Sequence, residues 1–165
     1  MADSNARDNA KDVDRVWDMM KKIGFAMLVT RDGSKLRARP MAAYLERDQN
    51  AIYFMTDARR HKDDEIARDP NVNLAFADTG NQNYVSVTGT ATVSNDRARI
   101  KELFSTPARA FWDSPEDPNI RVLKFTPDDA EFWDGPGKIV GTIKMMTAAA
   151  TNTRPNYGEN RKVSM

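Results

Sequence analysis

The sequence predicts a mainly β domain with peripheral helices, an α+β chain whose antiparallel strands, six or so in number, close into a small barrel. Three observations carry this reading. Apolar runs of strand length are joined by short polar turns, which argues for antiparallel neighbours. Residues 84–93 alternate cleanly, placing Val85, Val87, Gly89, Ala91 and Val93 on one face. A chain of 165 residues suits one domain rather than two.

The elements follow in order. Residues 1–9 are polar and are expected to be disordered, with one domain over 10–150 and a polar tail over 151–165. Val13, Val16, Trp17, Met20 and Ile23 recur at helical spacing, so an amphipathic helix opens the domain and Trp17 belongs to its buried stripe. The apolar run 25–30 ends at Arg31-Asp32-Gly33-Ser34, and Asp-Gly between extended segments signals a hairpin. Residues 36–45 form the return strand, Arg47-Asp48-Gln49-Asn50 turns again, and 51–56 make a third strand, so that the three strands form a meander. Residues 57–69 read as a charged helix with Asp63, Asp64 and Glu65 near its start and Pro70 as its stop. Strands over 72–77 and 84–93 flank a polar loop. A helix over 96–104, a loop over 107–118 holding Trp112, a last strand starting at Ile120 and a small-residue helix over 139–150 complete the order, with 127–136 closing the core.

Composition excludes several chemistries. The chain has no cysteine, which removes disulfides, thiolate metal sites and a cysteine nucleophile. His61 is the single histidine, too few for a multi-histidine zinc site or an easily assembled hydrolase triad. No glycine-rich nucleotide fingerprint occurs, and the acidic residues lack metal-ligand spacing. Twenty-five basic and 24 acidic residues leave a net charge of +1, which argues against a nucleic-acid surface built from Arg37, Arg39, Arg59, Arg60 and Lys62. No apolar run is long enough to span a bilayer and no leader pattern opens the chain, so a cytoplasmic protein is expected. Leu, Ile, Val and Phe make up only 30 residues, about 18%. So thin an aliphatic core would gain from a subunit interface or an enclosed apolar cofactor.

Arg59-Arg60-His61-Lys62 is where ligand chemistry gathers, directly after the strand ending at Thr56. By itself a charge run of this kind reads as a solvated patch. Arg37 and Arg39, alternating on one face of a strand expected to lie near Thr56, shift the balance towards a phosphate held between Arg39 and Lys62, with Pro40 at a barrel rim.

At this point the sequence resembles a family. Pro40-Met41, Tyr53-Phe54-Met55-Thr56-Asp57, His61-Lys62 with Glu65-Ile66, Asp69-Pro70-Asn71-Val72, residues 84–91 and Phe132-Trp133-Asp134 are similar, in order and spacing, to the flavin-binding split barrel of pyridoxamine 5'-phosphate oxidase-like proteins. Residues 149–160 resemble the closing segment of the general stress protein branch. The resemblance covers roughly residues 12–163. It implies an antiparallel six-stranded split β-barrel, a homodimer and FMN, or FAD, at the subunit interface. It further implies that Arg39 and Lys62 hold the phosphate with Thr56 and His61 assisting. The backbone of Arg39, Pro40, Met41 and Ala42 and of Met55 and Thr56 would line the isoalloxazine, and Trp133 or Trp112 of a partner chain would cover the ring. Tyr44 stands where true pyridoxamine phosphate oxidases carry a lysine, and the tail has no counterpart of their substrate-binding arginine and histidine. What the resemblance implies is therefore a flavin-dependent oxidoreductase of unspecified substrate, or a non-catalytic flavin carrier, rather than oxidation of pyridoxamine phosphate.

Overall fold

The computed structural model describes residues 2–60, 62–151 and 159–165. Helix α1 (Ala2–Ile23) buries Val16, Trp17, Met19 and Met20 against the sheet and turns its charged positions outward. It begins at Ala2, so residues 2–9, expected as disordered on polarity, continue the helix. Ala10 and the helix formers that follow favour continuation of the helix there.

Strands β1 (Phe25–Asp32) and β2 (Lys35–Ala42) form a hairpin, in register from Phe25↔Ala42 to Asp32↔Lys35. Its two-residue turn places Gly33 at φ 62°, a conformation that costs glycine nothing. The expected return strand over 36–45 breaks at Ala43, whose N–H donates to the Gly24 carbonyl at 2.9 Å. The chain then leaves β2 and starts β3 (Tyr44–Glu46), which pairs with β4 (Ala51–Asp57) instead. The expected three-strand meander is thus two hairpins at opposite ends of one sheet.

Helix α2 (Lys62–Arg68) follows a single 3₁₀ turn over Ala58–Arg60. Then come β5 (Asn71–Asp78), β6 (Asn83–Ser94), α3 (Arg97–Leu103), the short α4 (Thr106–Arg109), β7 (Ile120–Asp134), α5 (Lys138–Thr151) and β8 (Glu159–Ser164). The Asp96 side chain caps α3 by accepting from the Arg99 N–H. The sheet is antiparallel, in the order β2-β1-β5-β6-β7-β4-β3, with β8 also on β7. Among the described residues it has eight strands where six were expected, and β2 and β3 end the path without closing it.

Of the two additional strands, β3 comes from the break at Ala43 and β8 from the length of β7. The first part of β7, Ile120 to Phe125, pairs with β4, and its second, Asp129 to Asp134, pairs with β8, while β6 runs along the other edge of both. The segment 127–136 therefore extends the last strand as far as Asp134, and its Ala130 and Phe132 close the core as expected. Between the two parts the register shifts, Thr88 facing Asp129 and Gly89 facing Pro127. Gly89 is needed at this bulge: a Cβ there would lie 2.2 Å from the Thr126 carbonyl oxygen and 2.7 Å from the Phe125 ring.

Leu28, Phe54, Leu74, Phe76, Val85, Leu123 and Phe125 fill the barrel, closed off by Val16, Trp17 and Met20 of α1. A second cluster lies on the other face of β4 and β7, where Tyr53, Met55, Ile120 and Val122 meet Ile100, Leu103, Ala108 and Trp112. β4 is consequently buried on both faces along its whole length, which is why its sequence does not alternate. Among the described residues no helix is long and apolar enough to cross a membrane.

Candidate functional site

Where β4 emerges from between the two clusters, it borders a cavity of about 460 Å³. Pro40, Met41 and Ala42 at the end of β2 form one wall, and Met55, Thr56 and Asp57 at the end of β4 form the floor. The opposite wall is Ala108, Phe111 and Trp112, from α4 and the loop after it. Two backbone tethers hold these parts in place: Ala43 on the Gly24 carbonyl, and Ala58 donating to the Asn119 carbonyl at 2.9 Å. Tyr44, also on the lining, shares a 3.2 Å hydrogen bond with Ser105 Oγ and so ties β3 to the start of α4. Phe111 and Trp112 pack at 5.9 Å between ring centroids. The result is a slot with aromatic and aliphatic walls, suited to a planar ring system.

Two polar features stand in it. Thr56 is almost fully buried, and its Oγ1 has no hydrogen-bond partner among the described residues. A buried hydroxyl without a partner costs on the order of 1–3 kcal/mol, and with less than 1 Å² exposed this one lies just beneath the cavity floor, where a rotation of its side chain would be needed to reach a ligand. Asp57, buried beside it, is chelated by Arg59: the Arg59 N–H and Nε donate to Oδ1, each at 2.9 Å, and Nη2 donates to Oδ2 at 2.5 Å. These bonds hold the Asp57 carboxyl down to a pKa of about 2 against the opposing effect of burial, and it stays ionised throughout the neutral range.

The expected site residues divide. Pro40, Met41, Ala42, Met55 and Thr56 come together on this lining. Arg39 does not join them. Its Nη2 donates to Glu65 Oε1 at 2.6 Å, its Nη1 to Glu65 Oε2 and to Thr30 Oγ1, both at 2.8 Å, and Thr30 Oγ1 in turn donates to Glu65 at 2.6 Å. The Arg39 guanidinium beside it, with Thr30, holds the buried Glu65 carboxyl below its usual range. His61 lies outside the described residues; Lys62 begins α2, and its side chain is likewise outside them. Trp133 is on β7 between Tyr84 and Asn160, 37% exposed and away from the cavity, whereas Trp112 lines the cavity within the same chain. The wall formed by α4 and its following loop within the same chain, and the carboxylates of Asp57 and Glu65 as partners of Arg59 and Arg39, are features that the sequence reading did not give. The Asp57-x-Arg59 spacing was a local signal for the first pair; nothing local signals Glu65 for Arg39.

An open antiparallel barrel carrying an apolar slot at the exit of its doubly buried strand defines the class of this protein. The chain belongs to the family described as pyridoxamine 5'-phosphate oxidase like, which it matches over residues 11–156. Within that class it is similar to General stress protein 26 of Bacillus subtilis, 27% identical over 145 residues that cover 83% of this chain and 99% of the relative. The crystal structure of a candidate general stress protein 26 from Jannaschia sp. CCS1 superimposes with a TM-score of 0.72 at 27% identity, covering 94% of this chain and 99% of that one. That of the general stress FMN/FAD binding protein of Xanthomonas citri gives a TM-score of 0.64 at 26% identity, covering 72% and 85%.

Proposed function

We propose that this chain is a flavin-binding protein of the general stress type, with FMN as its ligand and FAD as the alternative, held in the slot between Pro40-Met41-Ala42 and Trp112. The observation that carries the reading is the slot itself, a cavity of about 460 Å³ between Pro40, Met41 and Ala42 on one side and Phe111 and Trp112 on the other, with apolar and aromatic walls of the kind a planar heteroaromatic ring packs against. The similar protein of Xanthomonas citri, described as FMN/FAD binding, supports it.

In this reading Met55 and the backbone of Pro40 to Ala42 position the ring, and Arg39, His61 and Lys62 form the phosphate side. The working unit is a homodimer. On the outer face of the first hairpin, Phe25, Met27 and Leu36 are 59%, 40% and 69% exposed, and Phe25, Pro40 and Ala42 belong at once to this face and to the slot. A second copy packed there would cover exposed apolar surface and the open side of the slot together. Trp133 serves the ring only from such a second copy, since in its own chain it points away from the cavity.

A bound flavin supplies one- and two-electron transfer, and the protein's part is to orient the ring and shield it. The activity proposed is oxidoreductase, with the substrate set by what reaches the ring. A carrier role is the second reading, favoured by Asp57 being a fixed carboxylate that neither gives nor takes a proton near neutrality. The test is titration of the folded protein with FMN, followed by quenching of flavin fluorescence, then NAD(P)H oxidation by the loaded protein. Saturable quenching is expected; a folded sample that takes up no flavin overturns the reading, and uptake without turnover selects the carrier.

A further inference from the structure

Trp112 borders two cavities. One is the slot; the other, of about 480 Å³, is bordered also by Lys101, Phe104 and Arg109. An indole with open space beside it in two places is held less firmly by packing than one enclosed all round, so its backbone must do more to fix it. On its N-terminal side the Trp112 N–H donates to the Ala108 carbonyl at 3.0 Å, which ties it to α4. On its C-terminal side the chain runs through residues 113–119 into β7, and Arg97, at the first position of α3, clasps this loop. Arg97 Nη2 donates to the Pro115 carbonyl at 2.6 Å and to the Asp117 carbonyl at 3.0 Å. Its Nη1 reaches the Ile120 carbonyl at 3.4 Å and Asn95 Oδ1 at 3.1 Å. The same loop ends at Asn119, whose carbonyl accepts from Ala58 beside the slot floor. Wall and floor are therefore joined by the segment that Arg97 grips.

A cation at the start of a helix stands where the dipole disfavours it, and the carbonyls around Arg97 offset that disadvantage. A planar guanidinium serves carbonyls of three different residues at once, which the single ammonium of a lysine does less well. The other tie from α3 to the loop, Lys101 to Glu116 at 2.9 Å, joins two exposed side chains and contributes little. We infer that Arg97 is a positioning residue for the slot: by bracing residues 115–120 it fixes the Trp112 wall relative to the floor and so sets ligand affinity without touching the ligand. The effect on affinity rests on the flavin reading above and deepens it.

The experiment uses the full-length protein and its Arg97→Met, Arg97→Lys and Lys101→Met variants, each titrated with FMN well below its melting temperature. Labelling with 5-fluorotryptophan gives a second readout without ligand, the Trp112 fluorine resonance being the one lost in Trp112→Phe. Arg97→Met is expected to weaken FMN binding about tenfold and to shift or broaden the Trp112 resonance, leaving those of Trp17 and Trp133 in place. Arg97→Lys keeps the charge and loses the fork; it should behave in the same way, and it carries the test if the methionine variant does not fold. Lys101→Met should bind FMN within about twofold of the wild type. Unchanged affinity or an unmoved Trp112 resonance in a folded Arg97 variant would show a role in stability alone and overturn the inference, as would an equal loss of affinity in Lys101→Met. A wild type that takes up no FMN sinks the flavin reading instead, and the fluorine spectrum then decides by itself whether Arg97 holds Trp112.

Discussion

Replacing Thr56 with valine removes one hydroxyl and keeps the shape, on a strand where a β-branched residue is at home. Because Oγ1 is buried and has no partner, the apo protein loses a desolvation penalty of about 1–2 kcal/mol and becomes more stable by that amount. For a chain of this length the change corresponds to roughly 3–6 °C in Tm. Ligand binding should move the other way. If the hydroxyl turns to complete its bond on a flavin, the variant loses a hydrogen bond worth about 1 kcal/mol and its FMN affinity falls roughly fivefold. Calorimetric or optical melting of the ligand-free protein, paired with FMN titration, reads both arms. Destabilisation of the apo variant would mean that the hydroxyl is satisfied in solution. Stabilisation with unchanged affinity would mean that it does not turn to the ligand.

Three further outcomes are expected. Gly89→Ala drives a Cβ into the Thr126 carbonyl and the Phe125 ring, so urea unfolding should show a loss of about 2 kcal/mol or more. Asp57, with a folded pKa of about 2, and Glu65, also lowered, contribute stability that is fully present above the ordinary carboxylate pKa values of 3.8 and 4.5 and is lost as pH falls through the folded ones. The stability difference between pH 7 and pH 2.5 should therefore shrink in Asp57→Asn, and an unchanged difference would show that Arg59 does not hold the carboxylate in solution. Finally, Phe25→Asp combined with Met27→Glu should convert a dimer to a monomer in sedimentation at micromolar concentration without unfolding it, and a monomeric wild type would count against the shared interface.

The parts of the fold that could be read in the sequence are those whose cause is local. The alternation over 84–93, the Asp32-Gly33 turn, the helix after Ser94 and the apolar stripe through Trp17 each reappear as β6, the first hairpin, α3 and the buried face of α1. What escaped is set by tertiary partners. β3 separates from β2 because the Ala43 N–H bonds Gly24 while Tyr44 to Glu46 find β4. β7 continues through Pro127 because the bulge opposite Gly89 absorbs the register change, and in β8 the described side chains of residues 160–162 and 164 are exposed while Val163 is buried, a pattern too sparse to signal a strand. The site shows the same division. The positions of Pro40 to Ala42 and of Met55 and Thr56 on the lining were implied by the family resemblance, whereas Trp112, expected from a partner chain, lines the cavity of its own chain because a loop's path is set by what it packs on. Arg39 looked available because its partner stands 26 residues on, across the sheet and on another element.

The two-partner strand β7 gives the molecule a division of labour. The cavity floor is tied to its first residues, Ile120 to Val122, and the C-terminal strand to residues beyond Asp129, about 25 Å further along the strand on the far side of the bulge. Alterations to the tail are thus mechanically insulated from the slot. The outward contacts of the C-terminal strand can therefore change while the slot at the other end of β7 keeps its shape.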